Sequence, residues 1–321
     1  MLGGGLIGLS SSTPASAALP NTEVYVVNAD GTGRVNLTHD PAPDGFPALS
    51  PGGSALAFVR SATVWVMGSN GTEQRALAGT DICCTTEGPV WRPGGGLLAF
   101  NQTDLSQCYP GAYKCATWQI HTIRPDGSGL VTLLPGSVRN ADWAPDGRLL
   151  AYEAGVYNGE GYGIEVVDTA TLETWQVTSS VGPTFMNPEW SPDGSKLAFI
   201  RNGRLIVAGA QGGNRKSLVR GRQAAWAPDR RRLAFVRIPH DGPRTNSVFV
   251  IRTRGSDLRR LTSGVLPTWS PDGKRIAFVR SGSLYVMRSD GRRIRLVARG
   301  ASSQLGPPVW SHDGRRLYYA G

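Results

Sequence analysis

The stretch Trp269-Ser-Pro-Asp-Gly-Lys-Arg-Ile-Ala-Phe278 decides how this chain folds, because altered copies of it recur along the sequence. An aromatic or leucine anchor precedes a Ser-Pro-Asp-Gly turn, and an apolar run rich in β-forming residues follows the turn. The anchors are Leu49, Trp91, Trp143, Trp190, Trp226, Trp269 and Trp310, at spacings of 42, 52, 47, 36, 43 and 41 residues. A period of this length is typical of a solenoid, a propeller or an array.

Each period holds enough strands for one propeller blade. A second alternating run such as Leu284-Tyr-Val-Met287 follows the first, and a short fourth strand such as Arg259-Arg-Leu-Thr262 completes the set. The strand pair within residues 22–38 has no turn-bearing pair before it, and the matching half lies at residues 308–319. We therefore predict an all-β, seven-bladed propeller of four-stranded antiparallel blades, whose last blade is closed by both termini and leaves no open sheet edge.

The Trp-Ser-Pro-Asp-Gly-x-x-Ile/Leu-Ala-Phe phrase resembles the propeller repeat of the TolB-like family of bacterial envelope proteins. The resemblance covers the chain from about Asn21 to Gly321 and concerns the propeller domain only. It implies a periplasmic or extracellular protein that acts as a non-catalytic binding scaffold and presents its variable loops to a protein or polymer partner. A similar repeat also decorates peptidases of the prolyl oligopeptidase type. Propeller lyases and lactonases also exist, and the alternative is a propeller enzyme, a hydrolase or lyase acting on sugars or lactones at the mouth of the channel.

Residues 1–20 differ in character from the propeller, which we predict to form a single domain over residues 21–321. The leader is weakly apolar and runs into Ala15-Ser-Ala17, a small-residue pattern typical of a signal-peptide cleavage site. It is either the remnant of a signal peptide or a disordered segment. No apolar stretch reaches the roughly 20 residues of a membrane-spanning helix. We expect a monomer that does not span a membrane.

The four cysteines cluster around one predicted blade and could form disulfides. They are Cys83, Cys84, Cys108 and Cys115. Three connectivities are open, and oxidised cysteines would agree with export from the cell. Their spacing does not favour a structural zinc site, because no C-x-x-C pair is present. We predict no cofactor.

Charge is distributed unevenly around the predicted ring. The net charge is +10, but residues 1–200 hold 9 Lys/Arg against 18 Asp/Glu, whereas residues 201–321 hold 25 against 6. Such a basic sector would attract a polyanion with a salt-sensitive affinity. Many of the arginines, however, occupy turn-to-strand positions typical of solvated rim residues, and no nucleic-acid motif accompanies them. We predict a protein or an anionic envelope polymer as the partner, and no nucleic acid.

Variable loops emerge on the face opposite the short repeated turns, and recognition residues are expected there. The large side chains of these loops include Tyr109, Tyr157 and His240. The polar residues that enter the innermost strands are Asn140, Asp142, Asn187, Glu189, Arg222 and Gln223. These six could line the channel mouth and hold a small polar ligand or a peptide terminus, or they could be ordinary hydrated lining. Asp142 and Glu189 could bind a cation, but two carboxylates without further oxygen ligands make a weak calcium site.

Catalytic signatures are missing from the sequence, which has neither a Gly-x-Ser-x-Gly elbow nor a His-Glu-x-x-His motif. The four histidines, His39, His121, His240 and His312, fall in separate predicted blades. We predict no catalytic residues. The enzyme alternative would depend on His39 or His240 together with carboxylates at the mouth.

Overall fold

The computed structural model describes residues 21–78, 88–104, 117–155, 161–179, 185–237 and 245–321. These residues form seven four-stranded antiparallel sheets, as the repeat predicted. We number the blades in chain order, from blade 1 at the first complete sheet to blade 7 at the sheet shared by the two ends of the chain. Among the described residues there is no helix that could cross a membrane.

The strands of blades 1 to 3 are β3 (Asp44–Leu49), β4 (Ala55–Arg60), β5 (Thr63–Gly68), β6 (Arg75–Ala78), β7 (Val90–Trp91), β8 (Leu98–Asp104), β9 (Thr117–Ile123), β10 (Val131–Leu134), β11 (Val138–Trp143), β12 (Leu149–Gly155), β13 (Tyr162–Asp168) and β14 (Thr174–Gln176). Those of blades 4 to 6 are β15 (Phe185–Trp190), β16 (Lys196–Arg201), β17 (Arg204–Gly209), β18 (Lys216–Arg220), β19 (Arg222–Trp226), β20 (Arg232–Arg237), β21 (Ser247–Arg252), β22 (Arg259–Ser263), β23 (Val265–Trp269), β24 (Arg275–Arg280), β25 (Ser283–Arg288) and β26 (Arg295–Arg299). In each blade the first strand is innermost and the fourth is outermost.

Blade 7 confirms the predicted closure by both ends of the chain. Its strands, from the innermost outwards, are β27 (Val309–Trp310), β28 (Arg316–Ala320), β1 (Val24–Asn28) and β2 (Val35–Asn36). Tyr25 pairs with Tyr319 in the β1–β28 ladder, and the two rings stack with centroids 5.5 Å apart. Arg34 lies over the Tyr25 ring and donates from Nε to the Tyr319 hydroxyl at 2.7 Å. Strand pairing, and not only the packing of blade faces, therefore closes the ring.

The aromatic residue nine positions after each anchor forms the core between neighbouring blades. The seven side chains are Phe58, Phe100, Tyr152, Phe199, Phe235, Phe278 and Tyr319, and each is at most 3 % exposed. Burial of a side chain of this size contributes on the order of 2 kcal/mol. Because every blade supplies one, the repeat distributes the hydrophobic core evenly around the ring.

The aspartates of the repeated turns have a structural role. Asp193 accepts hydrogen bonds from the Ser191 hydroxyl at 2.7 Å and from the Ser195 backbone N–H at 3.2 Å. The bond from Ser191 is the main reason why the pKa of Asp193 falls to about 2. Arg230 stands where other copies have glycine, and its φ of 61° lies in the left-handed region. That conformation costs a non-glycine residue on the order of 1 kcal/mol.

Two faces of the ring follow from this topology. The turns from first to second strand and from third to fourth strand share one face, which we call the turn face. The other connections form the loop face.

Two arginines that follow the repeated turns lie over tryptophan rings. Arg232 lies 4.7 Å from the centre of the Trp269 ring, and Arg275 lies 4.9 Å from that of Trp310. These two arginines thus cover the tryptophan of the next blade.

Candidate functional site

A β-bulge near the loop face marks the innermost strand of five blades. In each strand the residue three positions before the anchor has a left-handed backbone. These residues are Phe46 (φ 53°), Asn140 (φ 53°), Asn187 (φ 53°), Gln223 (φ 51°) and Leu266 (φ 53°). The register of the strand pair shifts at each bulge. The sequence predicted Asn140, Asn187 and Gln223 to lie at the mouth but did not predict this local bend of the strand.

The bulges connect neighbouring blades through their backbone N–H groups. The N–H of Asn187 donates to Glu153 Oε1 of the preceding blade at 2.6 Å. The N–H of Leu266 donates to Gln223 Oε1 at 3.2 Å, and that of Phe46 to the Leu305 carbonyl at 2.8 Å. A carboxylate, an amide and a backbone carbonyl therefore serve the same purpose at three seams. The Gln223 amide oxygen, predicted to line the channel, joins blades 5 and 6.

Glu153 is a central residue of the mouth that sequence analysis did not single out. Its side chain is fully buried at the end of β12. Besides the Asn187 N–H it accepts hydrogen bonds from Arg139 Nε at 2.9 Å and Asn140 Nδ2 at 2.5 Å. Arg139 in turn lies 4.3 Å from the centre of the Tyr162 ring. Charge-assisted bonds of this kind hold Asn140 and Asn187 in fixed positions.

Asp142 and Glu189 form a pair of carboxyl groups on the innermost strands of blades 3 and 4. Asp142 Oδ2 accepts a hydrogen bond from the Trp190 backbone N–H at 2.7 Å, while burial raises the pKa of Asp142 to about 7. Glu189 Oε2 is enclosed, and no partner for it lies within the described part of the chain. Burial and, secondly, the Asp142 carboxyl raise the pKa of Glu189 well above its ordinary value. Both residues keep a partly exposed surface. Both shifts favour the protonated, uncharged form of these carboxyl groups.

The anchor tryptophans show that the seams around this pair differ from the others. Four indoles donate from Nε1 to a backbone carbonyl of the preceding innermost strand: Trp91 to Ala48 (2.8 Å), Trp226 to Glu189 (3.0 Å), Trp269 to Ala225 (3.1 Å) and Trp310 to Thr268 (3.3 Å). In the described structure the buried Nε1 atoms of Trp143 and Trp190 have no partner. These two indoles belong to the same strands as Asp142 and Glu189.

Of the remaining predicted residues, Arg222 lies within the described part of the chain. Arg222 is exposed at the start of β19 and donates from Nη2 to Asn246 Oδ1 of the same blade at 2.8 Å. The six predicted residues thus stand on the innermost strands of three consecutive blades: Asn140, Asp142, Asn187, Glu189, Arg222 and Gln223. Glu153 links Asn140 to Asn187, and Asp142 acts on Glu189, whereas Arg222 donates its hydrogen bond within its own blade. Tyr109, Tyr157, His240 and the four cysteines Cys83, Cys84, Cys108 and Cys115 lie outside the described residues, as do residues 1–20.

The three described histidines do not meet. His39 is exposed on the loop face with a φ of 51°. His121 stacks on Phe100 with centroids 5.6 Å apart, and His312 Nε2 lies 3.0 Å from the Ser50 carbonyl on the turn face. Within the described ranges no group of three or more His, Cys, Asp or Glu side chains could hold a metal ion.

The fold therefore belongs to the class of seven-bladed propellers in which strands from both ends of the chain pair in one blade. A family model for the TolB beta propeller domain matches residues 153–321, and the chain belongs to this family. A search of the curated proteins found no significant match.

Solved structures with a similar fold include TolB proteins and enzymes. TolB from Acinetobacter baumannii is 17 % identical with a TM-score of 0.57, over 88 % of this chain and 66 % of that one. An oligogalacturonate lyase in complex with manganese is 15 % identical with a TM-score of 0.67, over 94 % and 98 %. A puromycin hydrolase mutant is 16 % identical with a TM-score of 0.67, over 94 % and 57 %. At these identities the likeness shows the fold alone.

Proposed function

We propose that this protein is a secreted or cell-envelope binding scaffold that presents its loop face to a protein or polymer partner and performs no catalysis. The proposal rests on one observation: polar side chains at the channel mouth are already held by hydrogen bonds within the protein. Glu153 accepts three hydrogen bonds there, and Gln223 and Asp142 each accept one from the next blade. Side chains held in this way make the mouth rigid, which reduces the conformational entropy lost when a partner binds.

The five bulge residues, which we call the rim, are apolar on one side of the ring and polar on the other. Asn140, Asn187 and Gln223 occupy the bulge position in blades 3 to 5, while Phe46 and Leu266 occupy it in blades 1 and 6. A Cβ atom on Gly88 would lie 2.9 Å from the Phe46 Cβ, so glycine is needed beside this ring. Phe46 and Leu266 remain partly exposed. A partly exposed aromatic beside fixed polar groups is a suitable anchor for a partner.

Affinity capture with two matched double variants tests the proposal. Phe46→Asn/Leu266→Asn changes the rim to the residue that blades 3 and 4 already have there, and asparagine tolerates a left-handed backbone. The control, Leu172→Asn/Leu258→Asn, replaces two leucines that are 62 % and 41 % exposed near turns of the opposite face. We expect a bacterial envelope fraction to yield a partner that binds the wild type and the control but not the rim variant. Loss of that partner only in the control would refute the proposal.

A second candidate function, an enzyme acting on sugars or lactones, is favoured by the Asp142–Glu189 pair. A carboxyl group whose pKa is raised by burial is suited to act as a general acid. The test is turnover of oligogalacturonides and lactones by the wild type and by Glu189→Gln. Turnover that disappears in the variant would favour the enzyme over the scaffold.

A further inference from the structure

The outermost strands of blades 4, 5 and 6 carry a row of basic side chains, which we call the edge row. It consists of Lys216, Arg220, Arg259, Arg260, Arg295 and Arg299. All six residues are exposed. None of the three strands contains an aspartate or a glutamate, so their charge is of one sign only.

Protection of sheet edges does not by itself explain the edge row. Charged side chains on an outermost strand prevent other strands from pairing with it. That need is the same in every blade, yet β2, β10 and β14 contain no charged residue and β6 contains one arginine. Val35 and Val131 on those strands are 50 % and 54 % exposed. The basic residues are therefore concentrated on one arc of the ring.

Acidic neighbours neutralise only a small part of the edge row. Arg295 lies near the Asp30 carboxylate, whose pKa is lowered first by hydrogen bonds from Thr32 and to a smaller extent by Arg295. Asp229 pairs with Arg232, Asp257 with Arg252 and Asp290 with Arg288. Within the described ranges no ion pair includes any of the six edge-row side chains. Three of the six make hydrogen bonds to uncharged acceptors: Lys216 to the Arg254 carbonyl (2.5 Å), Arg260 to the Ser247 hydroxyl (3.2 Å) and Arg295 to the Asp30 carbonyl (3.5 Å). An arginine or lysine that makes one such bond keeps further donors for a ligand.

The edge row contacts the next blade at two seams. Lys216 on β18 reaches the third-to-fourth-strand turn of blade 5 through the Arg254 carbonyl. Arg295 on β26 reaches the corresponding turn of blade 7 through the Asp30 carbonyl. Because the outer edge of a ring is convex, a rigid globular partner touches only a short part of it. A flexible linear chain can follow all three blades.

We propose that the edge row binds a flexible linear polyanion whose repeating groups are phosphates or carboxylates. Five of the six residues are arginines, and the guanidinium fork matches the paired oxygens of either group. This surface is distinct from the rim used by the scaffold function, and neither proposal depends on the other. Each neutralised anionic group releases counterions, so the affinity falls steeply with salt concentration.

The test measures the Kd for inorganic polyphosphate and for alginate by titration calorimetry at several salt concentrations. The variant Arg220→Gln/Arg259→Gln/Arg299→Gln removes one arginine from each strand, and none of these side chains makes a hydrogen bond within the described structure. The control Arg231→Gln/Arg292→Gln/Arg315→Gln removes the same charge from exposed positions on the turn face. Comparison of the two polymers identifies the anionic group.

We expect at least roughly tenfold weaker binding by the edge variant, less than about threefold weaker binding by the control, and a salt slope lowered by about two to three in the edge variant. Equal losses in both variants would show that only net charge matters and would overturn the proposal. Failure of the wild type to bind either polymer would do the same. Tighter binding of a stiff duplex DNA than of polyphosphate would contradict a flexible ligand that follows the convex edge.

Discussion

Single residues at the mouth link protonation to stability. The pKa of Asp142 is raised from 3.8 to about 7 by burial. Well below pH 4 this carboxyl is protonated in the native and the unfolded chain and has no effect on the pH dependence. As the pH rises towards 7, the unfolded chain loses the proton while the native chain keeps it. The free energy of unfolding therefore falls over this window, and Glu189 acts in the same direction because its pKa is raised too.

We expect Asp142→Asn to flatten this dependence. The asparagine carbonyl can still accept the Trp190 N–H, but no charge has to be buried. At about pH 8 the variant should be more stable than the wild type by on the order of 1–3 kcal/mol, less than the full shift because the Asp142 surface is partly exposed. The measurement is urea unfolding at a series of pH values.

Asp193→Asn is the control with the opposite sign. The pKa of Asp193 is lowered to about 2 by its hydrogen bonds, so its contribution is present above pH 4 and is lost as the pH falls towards 2. This substitution should change the acid end of the profile and leave the neutral end parallel to that of the wild type. Parallel profiles for the wild type and Asp142→Asn would contradict a raised pKa at Asp142.

At the scale of elements, the innermost strands are joined by the indoles at their ends. Trp226 and Trp269 donate to carbonyls of the preceding strand, whereas the buried Nε1 atoms of Trp143 and Trp190 lack a partner in the described structure. Replacement by phenylalanine should cost Trp226 and Trp269 on the order of 1 kcal/mol more than Trp143 and Trp190, because only the first two leave a carbonyl unpaired. The free energy of unfolding of the four variants checks this. Equal costs at all four positions would show that the indole bonds contribute nothing.

The turns and strand order could be predicted from the sequence because their chemistry is local. Asp313, for instance, bonds Ser311 and Arg315, both two residues away. The bulges and the role of Glu153 could not, since Glu153 meets the Asn187 N–H across 34 residues and Asp142 meets the Trp190 N–H across 48. Only the three-dimensional ring brings these partners together. The sequence identified Asn140 and Asn187 as mouth residues but not what holds them.

At the scale of the whole molecule, closure depends on blade 7 being shared by the two ends of the chain. Glu23 and Gly321 exchange two backbone hydrogen bonds of 2.9 Å, which places the ends of β1 and β28 side by side. A short linker can therefore join Gly321 to Asn21, and the chain can be opened elsewhere. This allows the contribution of the shared blade to be separated from that of face-to-face packing between blades.

Two circular permutants with the same linker make the comparison. Opening at the Asn202–Gly203 turn, between the second and third strands of blade 4, creates a new shared blade and should leave Tm close to that of the wild type. Opening beside Gly264, between blades 5 and 6, leaves the ring closed by packing alone. We expect this second permutant to melt several degrees lower, because the two ends are no longer held by strand pairing. Calorimetry measures the Tm of both permutants. Equal Tm values would show that strand pairing between the two ends of the chain adds no stability to the ring.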